Sequence, residues 1–323
     1  MFQKKSLVKK IRTVFLLSVL LFTFAGCTAA DKEAKTAVPQ NYISFTDSLG
    51  RSVSVPEGTR DAAVLVGSLA DIWRLSGGNI LATAEDAWED FNMDIPDAVN
   101  LGTVKDPDLE LLMSTNPPLI IASPKTASNL DLLPTLSRAG YTVAFFDTTT
   151  ITDYLKMLKV CTYITGRSDL YEKNGLMIKE KVDAVKADFV NEKIPDEEKS
   201  YLLLRASSGL VKAKGSSSYV LGGMLKDLGY ENIADSDKTL LEDLSIESII
   251  KADPYRIFIV QMGDDAESAK KNIDTMLYEN PAWRSLTSVK EGRVHFMDKR
   301  LFSLRPNARW GESYEILTDI LKK

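Results

Sequence analysis

"DPDLELLMSTNPPLII" runs from Asp106 to Ile121, and "DLSIESIIKADPYRIF" runs from Asp243 to Phe258. The two phrases align residue by residue: Asp106 with Asp243, Leu109 with Ile246, Glu110 with Glu247, Asn116 with Asp253 and Pro117 with Pro254. Each reads as a short helix with a Glu in its first turn, stopped before Pro and followed by a buried strand. A unit of this kind repeated far along the chain predicts two lobes of similar build, with the two Glu in equivalent places.

Outward from the first copy, strand-like and helical runs alternate. "NYISFTDSLGRSVSVP" (residues 41–56) predicts a hairpin turning at "DSLGR", and "AAVLVG" a buried strand. "LADIWRLSG" predicts a helix ending at Gly77, followed by "PLIIAS", "LDLLPTLSRAG", "YTVAFFD" and "ITDYLKMLKVCTYITG" as strand, helix, strand and helix. Residues 168–192 contain no strand pattern, and Leu170, Met177, Val182, Val185 and Phe189 fall along one side of a helix. At 1.5 Å per residue that helix is about 35 Å long. "IPDEEKS" ends it, and alternation restarts through "YLLLRAS", "SYVLGGMLKDLGY", "RIFIVQ", "RVHFMD" and the amphipathic "WGESYEILTDILKK". The expected class is α/β, with two Rossmann-like lobes joined by a long helix and a cleft between the lobes. The expected boundaries are 41–166 for the first lobe, 167–195 for the linking helix and 196–323 for the second.

The N-terminus has a different composition. Lys4, Lys5, Lys9, Lys10 and Arg12 precede an apolar run from Val14 to Gly26 that is too short to span a bilayer. "FAGC" ends the run, in the manner of a bacterial lipobox in which Cys27 is lipidated and becomes the first residue. Residues 1–26 thus read as a lipoprotein signal, and residues 27–40 as a flexible tether. Loss of the five cations of residues 1–26 takes the formal charge from −5 to −10. A mature chain that acidic argues against nucleic acid and against a polybasic membrane patch. With Cys27 acylated, Cys161 has no partner, and "KVCTYI" places it among buried apolar side chains.

The single histidine, His295, lies in a strand pattern and reads as structural. A bare transition metal is therefore not the expected cargo, and a Ser–His–Asp enzyme would depend on this one residue. "GSSSY" at Gly215 is not a nucleophile elbow, and no Gly-rich phosphate loop stands between a strand and a helix.

From about Phe45 to the C-terminus the chain resembles the lipid-anchored solute-binding proteins of bacterial ABC importers. The resembled class has a rigid interlobe helix and serves ferric siderophores, haem and cobalamin. "FTDSLGRSVSVP", "NLGTVKDPDLELLMSTNPPLIIAS", "LGGMLKDLGYENIA", "NPAWRSLTSVKEGRVHFMD" and "RPNARW" carry the resemblance by their order and spacing. Pro118 and Tyr255 depart from it, standing where the family usually has Asp. The resemblance implies a binding protein rather than an enzyme, with no cofactor. It implies residence on the outer face of the cytoplasmic membrane, anchored through Cys27. Its partners would be a metal chelate and a permease dimer with its ATPase, met by Glu110 and Glu247.

Ligand contacts in parallel α/β sheets come from loops at the strand C-terminal ends. The candidate loops are "GSLADIW" with Trp73, "EDAWED" with Trp88, "ASPKT", "DTTT", "RASSG" with Arg205, "GSSSY" with Tyr219, "QMGDD", and "DKRLFSLRP" with Arg300, Phe302 and Arg305. Trp, Tyr and Arg together suit a large, partly aromatic, anionic ligand. A ferric siderophore is the first expectation, with a corrinoid or haem as alternatives; Tyr219 is the residue that keeps haem among them. Trp283 and Trp310 read as core anchors.

Overall fold

The hairpin comes first, as β1 (Tyr42–Thr46) and β2 (Ser52–Pro56), with Tyr42 opposite Pro56. The computed structural model describes residues 41–208, 210–262 and 266–323, with the backbone only at Ala266. The signal, the tether and Cys27 lie outside them. Asp47 closes the "DSLGR" turn by accepting from the backbone of Leu49 and Arg51 and from the Arg51 guanidinium. Burial pushes the Asp47 carboxyl up, but its Arg51 and backbone donors outweigh that and hold it below its usual range.

Five parallel strands follow: β3 (Asp61–Val64), β4 (Asn79–Thr83), β5 (Val99–Asn100), β6 (Ile120–Ala122) and β7 (Val143–Phe145), in the order β5-β4-β3-β6-β7. The second sheet contains β8 (Ser200–Ala206), β9 (Val211–Ala213), β10 (Glu231–Asn232), β11 (Arg256–Gln261) and β12 (Val294–Met297). Its order is β10-β8-β11-β12, all parallel, with β9 antiparallel on β8. Each sheet reverses its strand order once, between β3 and β6 in the first and between β8 and β11 in the second. The short strands β4, β5, β9 and β10 went unnamed in the sequence reading.

The repeat is structural as well as sequential. Helices Leu109–Ser114 and Ile246–Ala252 start on side-chain caps from Asp108 and Ser245, two residues after Asp106 and Asp243. Asn116 and Asp253 adopt left-handed backbone with φ of 43° and 39°, which Asn and Asp tolerate better than other side chains. A second correspondence joins the lobes: Gly67 N–H donates to Asp86, and Ser216 N–H donates to Asp235, each acceptor 19 residues downstream. Gly67 is required there because a Cβ would sit 2.7 Å from the Ala87 backbone nitrogen.

The linking segment is helical in three pieces: Ser168–Tyr171, a π-helical Glu172–Leu176, and Met177–Val190. In the π segment the Asn174 carbonyl accepts from Tyr154 and its amide donates to the Leu75 carbonyl, tying the linker to the first lobe. Val182 and Phe189 face inward, and Phe189 packs against Tyr230. They join one apolar cluster that runs from Trp73 and Tyr154 to Tyr201, Phe258 and Trp310. Trp283 is buried in the second lobe's outer core. Cys161 is a buried free thiol, pushed up by its apolar surroundings.

His295 pairs with Phe258 across β12 and β11, and its ring stacks on Phe258 at 5.3 Å between centroids. Burial, and then Arg256, hold its pKa down to about 4. The unfolded chain, near the ordinary value of about 6.5, takes up a proton that the folded chain refuses. His295 therefore contributes full stability above about pH 6.5 and loses it as pH falls toward 4. His295→Phe keeps the stacking and removes the titration. Between pH 7 and pH 5 this shift corresponds to about 2 kcal/mol. Because His295 is only half-buried, solvent screening reduces the expected extra loss of the wild type relative to this variant to about 1 kcal/mol. Urea melts at both pH values measure this, and parallel losses in the two proteins would refute it.

Candidate functional site

A cavity of about 340 Å³ opens between the C-terminal ends of the two sheets. The first lobe lines it with Val66, Ser68 and Leu69 after β3, Ser123, Lys125 and Thr126 after β6, and Thr148 and Thr149 after β7. The second lobe contributes Arg205 of β8, Lys214 after β9, Ser218 to Val220, Met262 after β11, and Ser303 to Arg305 after β12. The loops after β3, β6 and β11 and the end of β8 among these stand where each sheet reverses its order, where open α/β sheets leave a crevice.

Of the loops expected from sequence, only "EDAWED" contributes nothing to this lining. Arg205, Tyr219 and Arg305 line the cavity. Trp73 does not: it is fully buried, with its indole N–H donating to the Asn79 carbonyl. Phe302 is likewise core. Trp88 packs half-buried on the first lobe's core. Arg300 lies beside the cavity. The lining residues not expected include two cations, Lys125 and Lys214, and the hydroxyls of Ser68, Ser123, Thr126, Ser218 and Ser303.

The electrostatics are lopsided. Lys125 pairs with Asp147 at 3.3 Å. Burial pushes the Asp147 carboxyl up, but the Thr149 hydroxyl, Lys125 and the charge of Arg305 outweigh it and hold it below its usual range. Arg205, Lys214 and Arg305 make no ion pair among the described residues. Burial pulls the Lys214 ammonium below its ordinary value, and Arg205 and Lys212 push it the same way. Burial also lowers Arg305, against the pull of Asp147 and Tyr219. The Tyr219 hydroxyl donates to Ser303 Oγ at 2.7 Å, and burial raises its pKa.

The helix starts add positive potential. Val66, Thr126 and Tyr219 precede helices Gly67–Leu75, Ala127–Arg138 and Val220–Asp227, and none of the three caps its helix with a side chain. By contrast Asp108, Thr150 and Ser245 cap helices whose own residues stay out of this lining. An uncapped helix start presents N–H donors and the positive end of the helix dipole.

A strap from the second lobe holds one wall in place. Asp298 caps helix Lys299–Phe302, and Lys299 pairs with Asp90 of the first lobe at 2.5 Å. Arg300 donates to Asp71 at 3.2 Å and to the Arg305 carbonyl, and lies over the Phe91 ring. Asn307 donates to the Ser68 carbonyl and to Asp71. Arg305 and Asn307 both have left-handed backbone, with φ of 86° and 54°. Such conformations cost about 1–3 kcal/mol and persist only where surrounding contacts fix them.

A second cavity of about 530 Å³ adjoins the first through Thr149 and Val220. It lies among the starts of helices Ile151–Thr165 and Val220–Asp227 and the side chains of Trp310 and Tyr314, away from the strand ends.

Residues 63–301 match the family model described as periplasmic binding protein. The iron-uptake system-binding protein of Bacillus subtilis is 26% identical over 298 residues, covering 89% of this chain and 90% of that protein. The Fe(3+)-citrate-binding protein YfmC of the same organism is 25% identical over 324 residues, covering 97% and 96%. An ABC transporter substrate-binding protein from Listeria monocytogenes superposes with a TM-score of 0.68 at 20% identity, covering 81% of this chain and 98% of its own.

The strap should be local in its effect. Asp71→Ala or Arg300→Ala is expected to speed amide hydrogen exchange in residues 299–309 by about tenfold, as roughly 1.4 kcal/mol of charged hydrogen bonding is lost. Exchange in β8 should be unchanged. Equal acceleration of both segments would mean that the pair supports the whole fold rather than the strap.

Proposed function

The chain belongs to the periplasmic binding protein family, and from that premise we propose that it captures a metal-chelate nutrient, a ferric siderophore first, and hands it to an ABC permease dimer with its ATPase. The observation that carries this reading is the cavity between the strand ends of two lobes, lined by both. Relatives named for iron uptake and for Fe(3+)-citrate binding support iron as the metal. The lining hydroxyls stand among cations, while His295 is packed in β12. That arrangement suits holding an anion and gives a nucleophilic serine no base, so the reading is binding rather than catalysis.

The "FAGC" stretch supports lipidation at Cys27 and residence on the outer face of the cytoplasmic membrane. Glu110 and Glu247 are the proposed docking residues. Both are exposed in the first turn of the repeated helix, and neither has an ion pair among the described residues. Asp108 and Ser245 already cap these helices, so capping does not account for the Glu pair. Two fixed carboxylates, one per lobe, match a two-fold partner, and close interfacial charge pairs couple by ~1.5–7 kcal/mol.

The experiment separates capture from delivery. Calorimetric titration of the purified chain with ferric siderophores should give saturable binding, and Glu110→Ala or Glu247→Ala should leave the affinity unchanged. Uptake by cells carrying either variant should fall by about tenfold or more. The double Lys variant should be worse than double Ala, because like charges then meet at the contact. Normal uptake by the double Lys variant would remove the docking role, and failure to bind any metal chelate would remove the function.

A further inference from the structure

Among the described residues the cleft lining carries four cations, Lys125, Arg205, Lys214 and Arg305, and one ion pair, Lys125 with Asp147. Arg205 of β8 stands opposite Lys212 of β9, and Lys214 follows just past the end of β9. Opposed residues of an antiparallel pair share a face, and like charges there destabilise the pair. The Lys214 backbone is also fixed, since its N–H donates to the Leu203 carbonyl and its carbonyl accepts from Asn232 at 2.7 Å. The chain therefore holds repelling cations at a cavity wall. Arg305 adds a third from the strap, on strained backbone, and two helices without a side-chain cap from their N-cap residue, Ala127–Arg138 and Val220–Asp227, begin at the same cavity.

We infer that the cargo is a compact polyanionic chelate of hydroxycarboxylate type, whose outer carboxylate oxygens meet Arg205, Lys214 and Arg305. This rests on the chelate-binding reading above and narrows it. The metal arrives with its coordination sphere closed by the chelator, because the described lining residues offer cations and hydroxyls rather than carboxylate or imidazole ligands. Carboxylate oxygens at the chelate's edge satisfy guanidinium and ammonium donors and N–H groups at the starts of helices Ala127–Arg138 and Val220–Asp227. Tyr219 is the one aromatic ring among these lining residues, and its hydroxyl is engaged by Ser303. Flat aromatic ligands find little to stack on, and a haem iron finds a phenol that burial keeps protonated. A neutral corrinoid would cover Arg205, Lys214 and Arg305 without giving any of them an anionic partner.

Isothermal titration of the mature chain tests this with ferric citrate, gallium citrate, metal-free citrate, a neutral ferric trihydroxamate, a ferric triscatecholate, haemin and cyanocobalamin. Ferric and gallium citrate should bind alike, and metal-free citrate at least about tenfold more weakly. Affinity should fall as salt rises from about 0.05 M to 0.5 M. Lys214→Met and Arg205→Met should each weaken binding by about tenfold or more. Lys212→Met is the control: Lys212 is exposed and outside the lining, and its loss should change little. Tighter binding of the trihydroxamate, triscatecholate, haemin or cyanocobalamin than of ferric citrate would overturn the carboxylate class and leave chelate binding standing. Equal binding of metal-free citrate would overturn the chelate itself. No heat with any of the probes would overturn this inference and the function beneath it together.

Discussion

Everything else in the molecule depends on one continuous apolar core that ignores the boundary between the lobes. Trp73 and Tyr154 from the first lobe, Val182 and Phe189 from the linker, and Tyr201, Phe258 and Trp310 from the second belong to the same buried cluster. Each sheet also packs its outer face against a separate smaller core. A linker with a wholly polar surface would let two such lobes swing. Here two inward side chains make the linker part of the interior. Separating the lobes would expose large rings, at roughly 25 cal/mol per Å² of apolar area. The ion pairs on its solvent side, such as Lys181 with Glu315 and Lys186 with Asp227, are exposed and contribute little by comparison.

Rigidity of this origin sets what the cleft can do. A hinge-type receptor brings its binding groups together when it closes on a ligand. In this chain the groups already stand together, because the core fixes the sheets and the strap from Lys299 to Asn307 fastens the second lobe to Asp71, Asp90 and Ser68. The entropic cost of assembling the site is met during folding, which favours affinity. The cost appears as strain instead, in the left-handed Arg305 and in Arg205 and Lys212, which both push down the Lys214 ammonium. Bound anion relieves that repulsion, so the free protein is poised for negative charge although its whole sequence carries a formal −5.

The fold was legible in the sequence, and so were the loops of the site; most of its side chains were not. The repeat could be read because the backbone constrains it: Asn116 and Asp253 occupy left-handed positions that few residues tolerate, and Pro117 and Pro254 stop each helix. Trp73 and Phe302 were misassigned for one reason. Each sits in a candidate loop's sequence but on the inward face of the short helix that follows, Gly67–Leu75 or Lys299–Phe302, and a nine-residue or four-residue helix leaves little periodicity to reveal its face. Lys214 was missed for another. A lysine in "VKAKGSSS" looks like any solvated charge until β9 folds back on β8, with Lys212 opposite Arg205, and brings Lys214 just past its end to the cavity wall. That pairing is three residues long, too short to be seen as alternation.

The two lobes share a plan and differ in what they bring to the cleft. Their equivalence is deep: Asp86 and Asp235 accept from matching backbone N–H groups, and Asp108 and Ser245 cap matching helices. At the cavity the first lobe offers mainly hydroxyls and helix starts, with its one cation, Lys125, paired to Asp147. The second offers Arg205, Lys214 and Arg305, all unpaired among the described residues. The hairpin strand β9, which has no counterpart in the first sheet, is the addition that makes the difference. A symmetric scaffold thus keeps its two outward Glu alike. Its inner faces are free to diverge, because a small ligand imposes no symmetry on the walls that hold it.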